Sequence, residues 1–290
     1  MTKSPWFIAT RPWSLVASAA PVCIGTALAI ADKVAYWQGV PLLFLCAALI
    51  QISSNLINDY EDHKRGADAQ RIGPIRAVSS GLLSASAVRS AAAASAGVAF
   101  LLGLPLVAHA GWPLFVIGCV CLVAAWAYTG GPYPMAYHGL GDAAAFLFFG
   151  VVAVVGTYFA HSGMWSADAF ILSLSPGMLA ANILNVNNIR DIPTDTAVGK
   201  RTLAVILGDT AARGMYALFA VASVLLPGAA LSGHRGAWMW LPATLLPVAV
   251  LLAHGVIIRR GAQLQQTLKH TAGFYLMYMI VASIAIIMAG

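Results

Sequence analysis

Apolar residues in this chain come in nearly unbroken runs rather than in alternating or one-sided patterns. Nine runs can be read, at about 12–31, 39–58, 86–109, 112–130, 140–160, 168–187, 210–230, 237–258 and 270–290. Each approaches the roughly 20 residues that a helix needs to cross a bilayer, and helices apolar all round are buried in a core or in lipid. Short Gly/Pro/polar breaks separate most of them, as at Thr129-Gly130-Gly131-Pro132 and Ser232-Gly233-His234-Arg235. Two connections are long and polar instead, about 59–85 and 188–209. The pattern predicts an all-α, polytopic membrane bundle of nine transmembrane helices in a single domain over residues 1–290. The residues from Met1 to Arg11 show no separate apolar stretch with a small-residue cleavage site, so the first run reads as a retained helix and not a signal peptide.

Charge orients the bundle. With nine spans and the N-terminus in the cytoplasm, only Lys33 and Arg235 of the 16 Lys and Arg residues fall outside, a split of 16 − 2 = 14 to 2. Cytoplasmic loops collect Lys and Arg, so a cytoplasmic N-terminus and an integral, cytoplasmic (inner) membrane location follow. Composition agrees: 60% of the 290 residues are apolar and 9% charged, against about 25% charged in a soluble domain. A water-facing surface is thereby excluded. The net charge of +6 is accounted for by basic loops on one face, and nucleic acid is not implied. Cys23, Cys46, Cys119 and Cys121 all lie in apolar runs. Cys119 and Cys121 point to different helix faces, so they read as inert thiols and not as a metal pair.

The chemistry is concentrated at two helix ends. Six of the ten acidic residues, Asp59, Glu61, Asp62, Asp68, Asp191 and Asp195, lie in the two polar connections or at the helices feeding them. Asn55, Asn58/Asp59 and Asp62 are spaced by three and four, as are Asn188, Asp191 and Asp195, so each set shares one helical face. Polar residues at a membrane helix end face protein, since lipid penalises them. Asn55 and Asn185 open matching Asn-x-x-Asn sequences 185 − 55 = 130 residues and four spans apart, so both ends return to one cytoplasmic mouth. This is a parallel pseudo-repeat that brackets one cavity. Crowded carboxylates repel unless a cation joins them, and hard oxygen ligands suit Mg²⁺, which is held by one or two carboxylates plus substrate phosphates. Lys64, Arg65, Arg71, Arg76, Arg190, Lys200 and Arg201 supply positive charge for phosphate oxygens. Asp32, Asp168, Asp209, Arg89, Arg259 and Arg260 stand alone and read as solvated helix ends or topological charges. His109, His161 and His254 read as structural or interfacial, and Trp6, Trp13, Trp112 and Trp165 as interface anchors.

These motifs resemble the UbiA-type intramembrane prenyltransferases, an Asn-Asp-x-x-Asp after the second helix and an Asp-x-x-x-Asp after the sixth. The stretch from Asn58 to Asp68, with Gly73-Pro74-Ile75-Arg76, is similar to the 1,4-dihydroxy-2-naphthoate polyprenyltransferases of menaquinone synthesis. So is Asn187 to Asp195 running into Gly199-Lys200-Arg201-Thr202-Leu203. The resemblance implies that Asp59, Asp62, Asp191 and Asp195 hold Mg²⁺ and the diphosphate. It places Asn55, Asn58 and Asn188 beside them, with Lys64, Arg65, Arg76, Lys200 and Arg201 on phosphate. Gly66 and Gly199 depart from the wider superfamily, where a third acidic residue stands, and Glu61 departs from an apolar or aromatic residue. The implied reaction is Mg²⁺-dependent transfer of a polyprenyl group from polyprenyl diphosphate to 1,4-dihydroxy-2-naphthoate. Carbon dioxide leaves, and the product is a demethylmenaquinol. The rival acceptors within the fold are 4-hydroxybenzoate and haem or chlorophyll-type rings. From another class, a secondary transporter would place its polar residues near mid-helix.

Overall fold

The structure, a computed structural model, describes residues 4–66 and 75–290. Met1, Asp68, Arg71, Gly73 and Pro74, all named above, lie outside them. Nine helices of the described chain organise the fold: α1 (Pro5–Ala31), α2 (Trp37–Lys64), α3 (Ala85–Ala110), α4 (Trp112–Ala127), α5 (Gly141–Ser162), α6 (Ala167–Ala197), α7 (Asp209–Arg235), α8 (Ala237–Ile258) and α9 (Gly261–Met288). No strand occurs among the described residues. Eight of these helices are long and apolar enough to cross a membrane, and α4, at 16 residues, is the shorter one.

Local chemistry sets the ends. Ser84 and Ser166 accept the Ala87 and Ala169 amides and cap α3 and α6. At their C-terminal ends α2 and α6 each finish in a left-handed glycine, Gly66 (φ 68°) and Gly199 (φ 72°), a conformation that a Cβ would strain. These are the two glycines that depart from the superfamily's acidic pattern, so here those positions stop a helix. The polar connections are accordingly shorter than the sequence suggests. Helix α2 continues to Lys64, and α6 runs to Ala197, through Pro193 and both Asp191 and Asp195. Instead of hanging in a loop, the second acidic pair rides on a helix.

The core lies between α1, α5, α6, α7, α8 and α9, filled by Leu28, Leu172, Leu179, Tyr216, Tyr275 and Tyr278 among others. Helix α5 carries a π-helical turn, Leu147–Val152, the kind of irregularity that often marks a functional region. Within it Gly150 meets Gly177 of α6 so closely that an added Cβ would stand 2.5 Å from the Gly177 Cα. Small residues let membrane helices approach this way.

At the pole opposite the acidic ends, polar groups tie helices together. Arg235 binds Asp32 at 2.9 Å and also pairs with Asp168, while the Tyr158 hydroxyl donates to Asp32 at 2.8 Å. Asp32 and Asp168 are therefore not simply solvated ends, as the sequence suggests; they share one partly buried cation. At the acidic pole, Asp209 pairs with Arg213 of its own helix at 2.8 Å. His161 is buried. Its Nδ1 accepts the Tyr36 amide at 3.1 Å, so Nε2 carries the proton and donates to Thr26 at 3.0 Å. His109 stacks on Tyr36, ring centroids 3.7 Å apart. Both histidines thus tie separate segments of the bundle together.

Candidate active site

The C-terminal ends of α2 and α6 meet around one cavity of about 700 Å³. Its polar mouth is lined by Asn55, Asn58 and Asp62 from α2, by Asn188, Asp191 and Asp195 from α6, and by Arg76 and Lys200. The pseudo-repeat thus brings its two halves face to face. Below the mouth the walls are apolar, with Leu43, Leu106, Leu114 and the successive rings Phe148 and Phe149 of the π-turn.

Each carboxylate at the mouth is met by a cation. Arg76 binds Asp62 at 3.2 Å, and Arg190 grips Asp191 with two bonds of 2.6 Å while also reaching Gln265. Lys200 Nζ stands 3.6 Å from Asp195 Oδ1. Asp62, Asp195, Arg76 and Arg190 are all buried, and buried charges persist only when paired. Asp195 is paired on one side only. Its Oδ2 is buried with no hydrogen-bond partner.

The asparagines divide into two kinds. Asn55 donates to the Thr10 carbonyl at 3.0 Å and Asn185 to the Ala212 carbonyl at 3.2 Å, so at matching repeat positions both brace a neighbouring helix. Asn58 accepts from Arg11 at 2.9 Å, whereas Asn188 donates to Asp142 at 3.0 Å.

Four of the site residues that the resemblance implies do not line the cavity. Asp59 is buried, and its Oδ2 accepts the Ala77 amide at 3.1 Å, which pins the segment after the first connection. One helical turn separates it from Asp62, yet the two side chains face different neighbours. Lys64 is exposed. Arg65 turns to the Thr129 and Gly131 carbonyls and pairs with Glu61 at 3.5 Å. Arg201 is exposed, and its amide donates to the Tyr137 carbonyl at 3.1 Å.

Three contributors are missed by reasoning from sequence. Tyr137, in the connection between α4 and α5, donates its hydroxyl to Asp62 Oδ1 at 2.8 Å. Its ring lies 5.1 Å from the Arg65 guanidinium and 5.5 Å from Lys200 Nζ, so one side chain touches the loops of both repeats. Burial, followed by the charge and hydrogen bond of Asp62, pushes its hydroxyl well above the ordinary tyrosine range, and it remains a donor. Asp142, at the start of α5, is a further buried acid on the cavity wall; an acid inside an apolar run is the available signal. Arg11, which the charge count treats as topological, sits in a left-handed turn (φ 48°) that interrupts α1 and also lines the cavity. Such backbone strain in a non-glycine residue gathers at functional sites.

Among the described residues, no three His, Cys, Asp or Glu side chains converge to hold a cation by themselves. The donor set suits a hard cation that arrives with its own anion. Asp62 and Asp191/Asp195 face one space from opposite helices, Asp195 has an oxygen to spare, and arginines stand ready for the anion's charge.

A helical bundle whose acid-and-base mouth opens onto an apolar cavity defines a membrane-embedded enzyme for a ligand with an anionic head and an apolar body. The UbiA prenyltransferase family pattern matches residues 18–285. The chain is 40% identical over 221 residues to the 1,4-dihydroxy-2-naphthoate octaprenyltransferase of Mycobacterium tuberculosis, covering 76% of each chain. Over 286 residues it is 35% identical to the enzyme of the same name from Mycobacterium leprae, covering 98% of this chain and 97% of that one. Its fold matches the apo structure of a UbiA homolog from Aeropyrum pernix K1 with a TM-score of 0.69 at 18% identity, over 93% of this chain and 97% of that one. A UbiA homolog from Archaeoglobus fulgidus bound to GPP and Mg²⁺ matches with a TM-score of 0.64 at 16% identity, over 98% of this chain and 100% of that one. The chain belongs to the UbiA prenyltransferase family and is an integral membrane protein, which sets the transporter reading aside.

Proposed function

We propose that this chain transfers a polyprenyl group from polyprenyl diphosphate to 1,4-dihydroxy-2-naphthoate, with loss of carbon dioxide, to give a demethylmenaquinol. The observation that carries the reading is the pairing of two carboxylate-bearing helix ends with cations around one cavity that continues into apolar walls. The relatives named for this reaction at 35–40% identity supply the acceptor.

In this reading Asp62, Asp191 and Asp195 hold Mg²⁺, with Asp59 fixing the segment that carries Arg76. When bound, Mg²⁺ neutralises the diphosphate and stabilises the charge it gains on leaving. Arg76, Arg190 and Lys200 exchange part of their contact with carboxylates for contact with phosphate oxygens, and Tyr137 keeps Asp62 oriented. The bond between prenyl C1 and the diphosphate oxygen breaks, and its electron pair leaves with the diphosphate. Phe148, Phe149 and their apolar neighbours exclude water from the allylic cation that remains. The ring carbon bearing the carboxylate forms the new carbon–carbon bond. The carboxylate then leaves as carbon dioxide and returns its electron pair to the ring. No net proton transfer is needed, so the site requires no dedicated base.

The same reading has nine spans, an N-terminus in the cytoplasm and a mouth facing the cytoplasmic side of the inner membrane. Helix α4 is the ninth. It starts beside His109 and Tyr36 at the pole opposite the acids and ends at Tyr128 on the cavity wall, so it traverses the bundle despite its 16 residues. At 1.5 Å per residue it reaches about 24 Å, short of a core of about 30 Å, and a locally thinned bilayer accommodates it. The split of basic residues supplies the orientation.

The test is incubation of the purified protein with Mg²⁺, a prenyl diphosphate and competing aromatic acceptors, with products identified by mass spectrometry. Prenylated naphthoquinol is expected only with divalent metal present. Preferential prenylation of 4-hydroxybenzoate, or full activity in a chelator, would overturn the assignment.

A further inference from the structure

The acids that line the cavity, among the described residues, are Asp62, Asp142, Asp191 and Asp195. Three of them meet a cation. Asp142 meets none among the described residues. It stands in the first turn of α5, 3% exposed, and Asn188 of α6 donates to its Oδ2 at 3.0 Å. A carboxylate offers about four acceptor positions, yet Asn188 is the one other residue, among those described, that donates to this one. An acid in the first turn eases the helix dipole, but an exposed acid does so equally well, so the dipole does not account for the burial. Below Asp142 the cavity face of α5 is apolar, with Ala145, Phe149 and Val152. Beside it Tyr128 also lines the cavity, placed so that a Cβ on Gly141 would stand 3.4 Å from its hydroxyl. One acid above an apolar and aromatic wall fits a flat ring that carries a hydroxyl at its edge.

We propose that Asp142 determines acceptor specificity by taking the 4-hydroxyl of 1,4-dihydroxy-2-naphthoate as a hydrogen-bond donor, with Asn188 holding the carboxyl group in place. The inference rests on the prenyl-transfer reading above and adds which ring position the cavity wall reads. Of the two ring hydroxyls, the 1-hydroxyl lies next to the acceptor's own carboxylate and bonds to it within the molecule. The 4-hydroxyl is the free donor. An anionic group has no place at Asp142, because an acid that brings no cation repels it. The diphosphate and the acceptor's carboxylate are drawn instead to the cations Arg76, Arg190 and Lys200. With its 4-hydroxyl on Asp142, the ring therefore turns its carboxylate-bearing carbon toward the mouth, where the prenyl group is released. The contact selects and orients the ring but does not activate it. The 4-oxygen is meta to the reacting carbon, so its lone pairs do not feed that carbon, and the effect falls on acceptor binding.

The experiment uses the full-length protein in phospholipid nanodiscs with Mg²⁺, geranyl diphosphate and 1,4-dihydroxy-2-naphthoate, and 1-hydroxy-2-naphthoate as a competing ligand. The competitor keeps the carboxylate and the 1-hydroxyl and lacks the 4-hydroxyl. A buried polar group left without its partner weakens binding about tenfold or more, so the parental protein should show an inhibition constant for the competitor at least about tenfold above KM for the acceptor. Asp142→Ala should raise the acceptor's KM about tenfold and leave the competitor's constant within about threefold, bringing the two together. Asp142→Asn, which keeps an amide at the position, should fall between. KM for geranyl diphosphate and the Mg²⁺ concentration giving half-maximal rate should stay within about twofold of the parent in both variants, a result that a metal ligand or a merely structural residue would not give. Equal binding of the two naphthoates by the parental protein, or an unchanged difference between them in Asp142→Ala, overturns the proposal and leaves the reaction standing. A raised Mg²⁺ requirement with the difference unchanged overturns it too, and assigns Asp142 to the metal. No prenylated product from the parental protein refutes the reaction and the proposal together. Should neither variant fold, the comparison of the two naphthoates in the parental protein decides.

Discussion

Replacing Asp195 by Asn should move stability and activity in opposite directions. In the substrate-free protein Asp195 Oδ2 is buried without a partner, and Oδ1 stands 3.6 Å from Lys200 Nζ, beyond hydrogen-bonding distance. A buried unsatisfied polar atom costs about 1–3 kcal/mol, and an amide of the same shape relieves the charged part of that cost. The attraction to Lys200 is forfeited, but the lysine side chain is 22% exposed, so that loss stays below about 1 kcal/mol. The apparent Tm in nanodiscs should therefore hold or rise by on the order of 2 °C. Activity should fall steeply, because the proposed site loses one of the anions that hold its cation. Removing one preorganised electrostatic group costs about 10²–10³ in rate, or about 2.7–4 kcal/mol. The measurements are apparent Tm by intrinsic fluorescence, kcat/KM for prenyl diphosphate, and the Mg²⁺ concentration giving half-maximal rate, which should shift upward. Activity within about threefold of the parent refutes the reasoning. So does a loss of activity that merely tracks a loss of folded protein.

Tyr137→Phe removes the 2.8 Å bond to Asp62 but leaves Arg76 in place; a hydrogen bond to a charged group is worth about 1.5–3 kcal/mol, so apparent Tm should fall by a few °C, and kcat/KM of the folded fraction at least about tenfold as Asp62 loses its orientation. Gly150→Ala places a Cβ 2.5 Å from the Gly177 Cα, and overpacking of this kind costs about 1–3 kcal/mol or more. The yield of monodisperse protein on size exclusion should drop, and an undiminished yield would show that α5 and α6 separate freely. Arg235→Met leaves Asp32 and Asp168 without their shared cation; because these groups are partly exposed, the cost should be about 1–2 kcal/mol. It should appear in apparent Tm, with kcat/KM of the folded fraction within about twofold.

The helical layout and the convergence of two helix ends are legible in the sequence, because both follow from one-dimensional patterns: run length, and an even number of spans between repeats. Orientation, which is decided in three dimensions, is not. Asp59 and Asp62 share a motif and nearly a face, yet Asp59 turns to the Ala77 amide and Asp62 to the cavity. Nothing in their spacing separates those neighbours. Tyr137 was invisible for a related reason. It acts through its hydroxyl, its ring and its carbonyl at once, and none of these roles leaves a mark in a short Gly/Pro-rich connection. Asp142 does leave a mark, as a lone acid inside the apolar run at 140–160. The reach of α6 through Pro193 ran against the usual stop signal. Proline in a membrane helix is tolerated when neighbouring groups satisfy the carbonyl it frees.

The repeat also shows how a duplicated helix end can meet opposite charges in its two halves. Asn55 and Asn185 keep one task, donating to a neighbour's backbone carbonyl, so both halves are held in the same shape. One turn on, the symmetry breaks. Asn58 turns its oxygen to the Arg11 guanidinium, while Asn188 turns its amide nitrogen to the Asp142 carboxylate. An amide is both donor and acceptor, so one residue type at equivalent positions holds a cation on one wall and an anion on the other. The two halves of the repeat are thus alike in the backbone carbonyl each asparagine braces and opposite in the charge that the next asparagine meets at the mouth.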